Sequence, residues 1–179
     1  AEKLCVFIML VPSAYMQSMA AFVAQNVGAK RLDRAGKALL YGILSSLVVG
    51  LVMAYLSFFH GSALSTLFVK ENDTAVIMAA SDYLRAYSID CILTSFLFCF
   101  IGYFNGRGKT LFVMIQGIVG AFGVRIPVSY LMTLTDGASL FHIGLATPAS
   151  SVVQILLCVG YFLLLKRRQK KFLLENSAE

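Results

Sequence analysis

Five unbroken apolar segments constrain the fold of this chain more than any other feature. A hydrocarbon core about 30 Å thick is crossed by a helix of about 20 residues, which is close to the length of each segment. Because lipid offers no hydrogen bonds to an exposed backbone, each segment is predicted to be helical, and the unbroken runs exclude the alternating strands of a membrane β-barrel. The predicted fold is therefore an all-α, polytopic membrane helix bundle. The predicted spans are residues 4–24, 38–59, 83–104, 111–133 and 143–165.

The overall composition agrees with a lipid environment. The chain is 59% hydrophobic and 13% charged, whereas soluble domains are about 45–50% apolar and about 25% charged. A soluble fold of 179 residues has too little interior to bury so much apolar surface. The four cysteines all lie in apolar segments and none has Cys-x-x-Cys spacing. We therefore predict that they are packed side chains, and we expect no metal site and no cofactor.

Basic residues mark alternate connections between the predicted spans. Cations are frequent after the first, third and fifth spans, whereas the connection after the fourth span has none and the one after the second has only Lys70. The positive-inside rule then places the N-terminus outside and the C-terminus in the cytoplasm. The cation-rich stretches are residues 30–37, 105–109 and 166–171.

The same distribution indicates which partners the net charge of +6 favours. Cation clusters that flank apolar spans suit anionic lipid headgroups better than a nucleic-acid surface, so we expect membrane lipids as partners and no nucleic acid. We predict a transmembrane bundle over residues 1–165, in the inner or plasma membrane of the cell, and a basic cytoplasmic tail over residues 166–179.

Two formal charges, Asp90 and Arg125, lie deep inside predicted spans. An uncompensated charge there costs at least about 2.5–3.5 kcal/mol. At 1.5 Å per residue the two lie about 10 Å and about 12 Å from the same membrane face. One interpretation is an interior ion pair that holds the third and fourth spans together. In the other, Asp90 faces a wet cavity and binds Na⁺ or a proton, with Tyr87 and Thr94 beside it.

Other polar and sulfur-containing side chains are candidates for a substrate cavity. Methionine and aromatic surfaces adapt to varied organic cations through polarisability and cation–π attraction. The same residue types are also ordinary contacts between helices, so both interpretations stay open. The candidates are Met9, Met16, Gln17, Tyr83 and Gln116.

Small residues recur at the spacing of helix contacts in three spans. Helices in lipid associate through small residues that let their backbones approach closely, so a tightly packed bundle is predicted. The repeats are Gly42, Ser46 and Gly50 in the second span, Gly102 and Gly106 in the third, and Gly117, Gly120 and Gly123 in the fourth.

Four motifs lie in register with the predicted spans. The first is Phe-Val-Ala-Gln-Asn-Val-Gly-Ala-Lys at residues 22–30, followed by Asp-Arg-Ala at 33–35. The others are Tyr-Leu-Arg at 83–85, Phe-Asn-Gly-Arg-Gly-Lys-Thr at 104–110 and Val-Arg-Ile-Pro at 124–127. In this order they resemble the second half of multidrug and toxic compound extrusion (MATE) transporters of the bacterial branch, and the resemblance covers essentially the whole chain.

The resemblance implies a fold and a function. MATE transporters have twelve helices in two lobes, so the five spans would be helices 8 to 12, most of one six-helix lobe, and a missing N-terminal lobe would be their partner. Family members export small organic cations of amphipathic character by antiport with Na⁺ or H⁺. In some members helix 10 carries a coupling carboxylate. The resemblance places that position at Thr94, one turn after Asp90, and matches Arg125 to a family position.

Two other functions remain open. A lipid-linked oligosaccharide flippase of the same superfamily should have several cavity cations, and Arg125 is the only cation deep inside a predicted span. A non-transporting membrane assembly subunit would work as five helices alone. An enzyme is not expected, since the sequence contains no intramembrane Asp pair, no His-Glu-x-x-His and no Gly-x-Ser-x-Gly.

Overall fold

The computed structural model describes residues 2–60, 74–134 and 144–175. Within these ranges it contains five helices and no strand, which confirms the all-α prediction. Lys70 and the predicted start of the last span at residue 143 lie outside the described residues. The helices are α1 (Glu2–Gly28), α2 (Leu32–Phe59), α3 (Thr74–Gly106), α4 (Thr110–Thr133) and α5 (Ala146–Glu175).

Four of these helices are long and apolar enough to cross a membrane. They include all of α2 and α4, the part Tyr83–Gly106 of α3, and the part Ala146–Gln169 of α5. Helix α1 runs through the first predicted span as 27 continuous helical residues, with Pro12 inside it. The helix α3 begins nine residues before its predicted start, because an apolar run continues upstream of Tyr83.

Helix α3 is the centre of the bundle. It packs against α1, α2, α4 and α5, and 61% of its span is buried, compared with 22% for α2 and 11% for α4. The exposed faces of α2 and α4 are apolar, which suits contact with lipid chains. The described cysteine side chains lie buried in the bundle, as the packed interpretation predicts: Cys91, Cys99 and Cys158.

Ser46 and Gly50 of α2 face α3, whereas a Cβ atom at Gly42 would meet Met19 of α1. A Cβ atom at Gly50 would meet Ser95 of α3, so only glycine allows the two helices to lie this close. One turn before Gly50, the Ser46 hydroxyl donates a hydrogen bond to the backbone carbonyl of Ser95 in α3 (3.1 Å). The predicted role of this repeat in helix packing is confirmed.

The glycines of α3 and α4 differ in their contacts. A Cβ atom at Gly102 would meet the backbone of Met16 in α1, so this glycine sets the spacing between α1 and α3. Nothing lies within 4 Å of a Cβ atom at Gly117 in α4. Of the three glycines in the α4 repeat, Gly120 is the one at which a Cβ atom would contact another helix among the described residues. The contact would be with the side chain of Gln154 in α5.

Helix α4 widens in its middle. Residues Val119–Arg125 form a π-helical segment, and the backbone N–H of Ile126 donates to the carbonyl of Ala121, five residues earlier. Pro127 explains this geometry, because it has no N–H for the Gly123 carbonyl and its ring crowds that carbonyl in an α-helix. A wider turn relieves the conflict, and such π segments are frequent at functional sites.

Candidate functional site

Among the described residues, Asp90 on α3 is the one charged residue that is buried. Its side chain is only 1% exposed, at the face of α3 that meets α5. The hydroxyl of Ser151 on α5 donates a hydrogen bond of 2.5 Å to its Oδ1 atom. Because charges inside a membrane bundle are costly and are retained mainly where they have a role, this carboxylate is the first candidate for function.

Ser150, the neighbour of Ser151 on α5, connects this site to α4. The hydroxyl of Ser150 donates to the backbone carbonyl of Gly120 in the π-helical segment (2.8 Å). Gln154 donates from Nε2 to the Ser150 hydroxyl oxygen (3.1 Å). These groups form a buried region rich in oxygen atoms among three helices. We call it the polar cluster, and it consists of Asp90, Ser150, Ser151, Gln154 and the Gly120 carbonyl.

Two local features build the polar cluster. Gly120 has no side chain, and a Cβ atom there would overlap the side chain of Gln154, so the glycine makes room for Gln154 in its observed position. The serines are neighbours in sequence and lie one turn before Gln154, so one face of α5 carries all three polar side chains. Oxygen atoms of carboxylate, hydroxyl and carbonyl groups are ligands that hard cations prefer.

Arg125 lies at the end of the π-helical segment with an exposed side chain. It attracts Asp90 electrostatically. The structure records no direct salt bridge between these two described residues, and the direct partner of the carboxylate is the Ser151 hydroxyl. The interior ion pair of Asp90 and Arg125 therefore stays a prediction.

The two residues predicted to flank Asp90 lie on different sides of it. Thr94 is buried one turn further along α3, and its hydroxyl donates to the backbone carbonyl of Asp90 (2.7 Å). Tyr87 is buried on the side that packs against α1 and α2, in one apolar cluster with Ile8 and Ala54. Thr94 is thus close to the polar cluster, whereas Tyr87 belongs to the packing of α1, α2 and α3.

The predicted substrate-cavity residues lie in two regions of the bundle. Met9, Met16 and Tyr83 are half-buried in the region of α1 and α3, and Gln17 is exposed. Gln116 is 2% exposed on α4, and its Oε1 atom has no hydrogen-bond partner among the described residues. The five residues share no single helix interface, so a common role in substrate binding stays a prediction.

Sequence reasoning missed the contribution of α5. Ser150, Ser151 and Gln154 interrupt an otherwise apolar span at positions that share one helix face, and this spacing was the available signal. Their partners were not predictable from that spacing, because it does not say which helix the face meets. Among the described residues, no group of three His, Cys, Asp or Glu side chains is placed to hold a metal ion.

Comparisons with known proteins agree with this architecture. The chain is 23% identical over 141 residues to a protein named probable multidrug resistance protein YoeA from Bacillus subtilis (strain 168). That match covers 79% of this chain, and the chain spans about 30% of the length of that relative. No solved structure matches the chain.

Residues 2–131 match the MatE family. The matched region includes α1 to α3 and most of α4, so it holds Asp90, Arg125 and the π-helical segment. Since this region is well over half of the chain, the protein belongs to the MatE family, and its resemblance to multidrug and toxic compound extrusion transporters is confirmed.

Proposed function

We propose that this chain is part of a secondary active transporter that exports cationic amphipathic compounds by antiport with Na⁺ or H⁺. Membership in the MatE family and the similarity to a protein named for multidrug resistance support transport. The observation that carries the coupling role is the buried carboxylate of Asp90, with the Ser151 hydroxyl as its direct side-chain donor among the described residues.

An ionised carboxylate has about four acceptor positions on its two oxygens. The Ser151 hydroxyl occupies one of them, so Asp90 keeps capacity for Na⁺ or a proton. A sodium site would draw further oxygen ligands from the hydroxyl groups of Ser151 and Thr94, which both bond to Asp90. A proton would instead convert the carboxylate to a neutral acid. Either event removes a buried negative charge from the bundle interior.

The loss of that charge is a means of coupling. A conformational equilibrium shifts only if the ion binds one state more tightly than the other. Asp90 lies where α3, α4 and α5 meet through single hydrogen bonds, so a change in its charge alters the contacts among these helices. In this proposal the helices respond by changing the access of a cavity formed with a second lobe, which the remainder of the protein would supply.

The test is efflux by the full-length protein in vesicles with an imposed Na⁺ or proton gradient and a fluorescent cationic dye. We expect Asp90→Asn to fold normally and to lose at least about tenfold of the gradient-driven rate, because the amide cannot exchange a proton or neutralise Na⁺. Asp90→Glu, which keeps the carboxylate, is the matched control and should retain part of the rate. Comparing the two gradients identifies the ion.

A purely structural role for Asp90 predicts a different pattern. Asp90→Asn would then yield unfolded protein, and the double variant Asp90→Asn with Arg125→Gln would restore folding by removing the unpaired cation. Thermal unfolding in detergent distinguishes the two cases. Rescue of folding by the second substitution, or equal efflux by Asp90→Asn and the unaltered protein, contradicts the coupling role.

A further inference from the structure

A crevice of about 640 Å³ opens at the end of the bundle where α2 begins and where α3 and α5 end. One face of α2 forms one wall, one face of α5 forms the other, and the end of α3 with the turn after it forms the floor. The lining residues are Leu32, Asp33, Gly36, Lys37 and Leu40 of α2, Phe162, Lys166 and Gln169 of α5, and Tyr103 and Arg107. Its volume is in the range of small-molecule binding sites. We call it the basic crevice.

Three cations from different parts of the chain line the basic crevice. These are Lys37 from α2, Arg107 from the turn that follows α3 and Lys166 from α5, and one acidic residue, Asp33, also lines it. The lining therefore has an excess of positive charge. The N-terminus of α2 lies at the same end, and the unpaired backbone N–H groups of a helix N-terminus add to the positive potential.

The cation on the floor is held in a defined position. Arg107 donates from Nη1 to the phenolic oxygen of Tyr103 (2.9 Å), and its guanidinium lies 5.6 Å from the centre of the same ring. Tyr103 is only 3% exposed, so it is a fixed support. A guanidinium fixed in this way keeps donors for phosphate oxygens, which it binds in a forked geometry.

The lining also has an apolar part, which includes Leu32, Leu40 and Phe162 and continues onto the exposed apolar surface of α2. Leu40 is 58% exposed and leads to an apolar face that runs along α2, and Phe162 lies on the opposite wall. A ligand with an anionic head and an apolar body matches this arrangement. A small soluble anion would make no contact with the apolar part of the lining.

We propose that the basic crevice binds the phosphodiester headgroup of an anionic phospholipid, with the acyl chains along the exposed face of α2. The phosphate oxygens meet Arg107 on the floor, and Lys37 and Lys166 close over the headgroup from the two walls. The lipid joins α2 to α5, which pack on α3 from two sides at this end of the bundle.

Native mass spectrometry of the full-length protein, titrated with phosphatidylglycerol or phosphatidylcholine, tests the proposal. We expect one phosphatidylglycerol to bind at least about tenfold more tightly than phosphatidylcholine. The double variant Lys37→Gln with Lys166→Gln should bind phosphatidylglycerol about 30-fold more weakly, since each cation near a membrane surface contributes about a fivefold factor. Both lysines are exposed, so this variant should fold.

The matched control removes the same charge from the same two helices. Arg34 and Arg168 are exposed cations of α2 and α5 that do not line the basic crevice. Arg34→Gln with Arg168→Gln should weaken binding less than about fivefold, because it changes only the diffuse surface potential. Equal losses in the two double variants would overturn the proposal. Equal binding of the two lipids, or displacement of phosphatidylglycerol by inorganic phosphate, would overturn it as well.

Discussion

At the scale of single residues, the chemistry depends on the contact between Asp90 and Ser151. The two residues are 61 positions apart in sequence and belong to different helices. The hydroxyl is the only polar group of the Ser151 side chain, so its loss leaves the carboxylate without this donor. A buried acceptor that loses its partner bears the full cost of its desolvation.

We therefore expect Ser151→Ala to lower the free energy of unfolding by about 1–2 kcal/mol and to reduce ion-driven efflux. Ser151→Thr keeps the hydroxyl and should stay closer to the unaltered protein in both measurements. Ser45→Ala is the matched control, since the Ser45 hydroxyl is exposed and bonds only to its own helix. Thermal unfolding in detergent and dye efflux are the readouts. Identical results for the Ala and Thr variants at position 151 would contradict the role of this hydroxyl.

At the scale of helices, close approach depends on individual glycines. In α3, a Cβ atom at Gly102 would lie 2.9 Å from Cβ of Met19 and 3.1 Å from Cα of Met16. Backbone atoms of a packed helix have little room to move, so α1 would have to shift. In α4, Gly117 has open space at the equivalent position.

We therefore expect glycine-to-alanine substitution to change the free energy of unfolding in opposite directions at these two positions. Gly102→Ala should destabilise the protein by about 1–3 kcal/mol through overpacking. Gly117→Ala should be neutral or stabilise by up to about 1 kcal/mol, because alanine favours the helix and meets nothing. The measurement is the free energy of unfolding of the purified protein in detergent. A Gly102→Ala protein as stable as Gly117→Ala would show that α1 and α3 are not packed this closely.

Much of the fold was predictable at this scale, and the site was predictable only in part. The apolar windows predicted the helices, and the repeat around Ser46 and Gly50 predicted a packing face. Asp90 was found because a charge within an apolar run is visible in the sequence. Its partner Ser151 was missed, because a serine in a membrane helix is common and gives no sign of which helix it faces.

At the scale of the whole molecule, the three cation-rich stretches meet at one end of the bundle. The basic crevice takes Lys37, Arg107 and Lys166 from three separate stretches. This convergence agrees with the alternation of basic connections along the sequence. The side of the membrane on which this end lies follows from the positive-inside rule and stays a prediction.

Single cysteines test that orientation. His60 lies at the end of α2 and Lys109 lies between α3 and α4, and both are exposed. We expect His60→Cys to react with a membrane-impermeant maleimide in intact cells, and Lys109→Cys to react only after permeabilisation. The unaltered protein is the control for its four native cysteines, of which Cys91, Cys99 and Cys158 are buried. The reverse pattern would mean that the bundle has the opposite orientation.

The sequence by itself determined the helices, their lipid environment and the alternation of charged connections. Each of these follows from local composition, because backbone groups in lipid must bond within their own helix. The tertiary structure alone decided that Asp90 meets Ser151 and that Ser150 reaches the Gly120 carbonyl. Such contacts depend on the rotation of each helix about its axis, and the π-helical segment before Pro127 changes that rotation within α4. The spacing of side chains along one helix does not specify its neighbour, so only packing among all the helices selects these contacts.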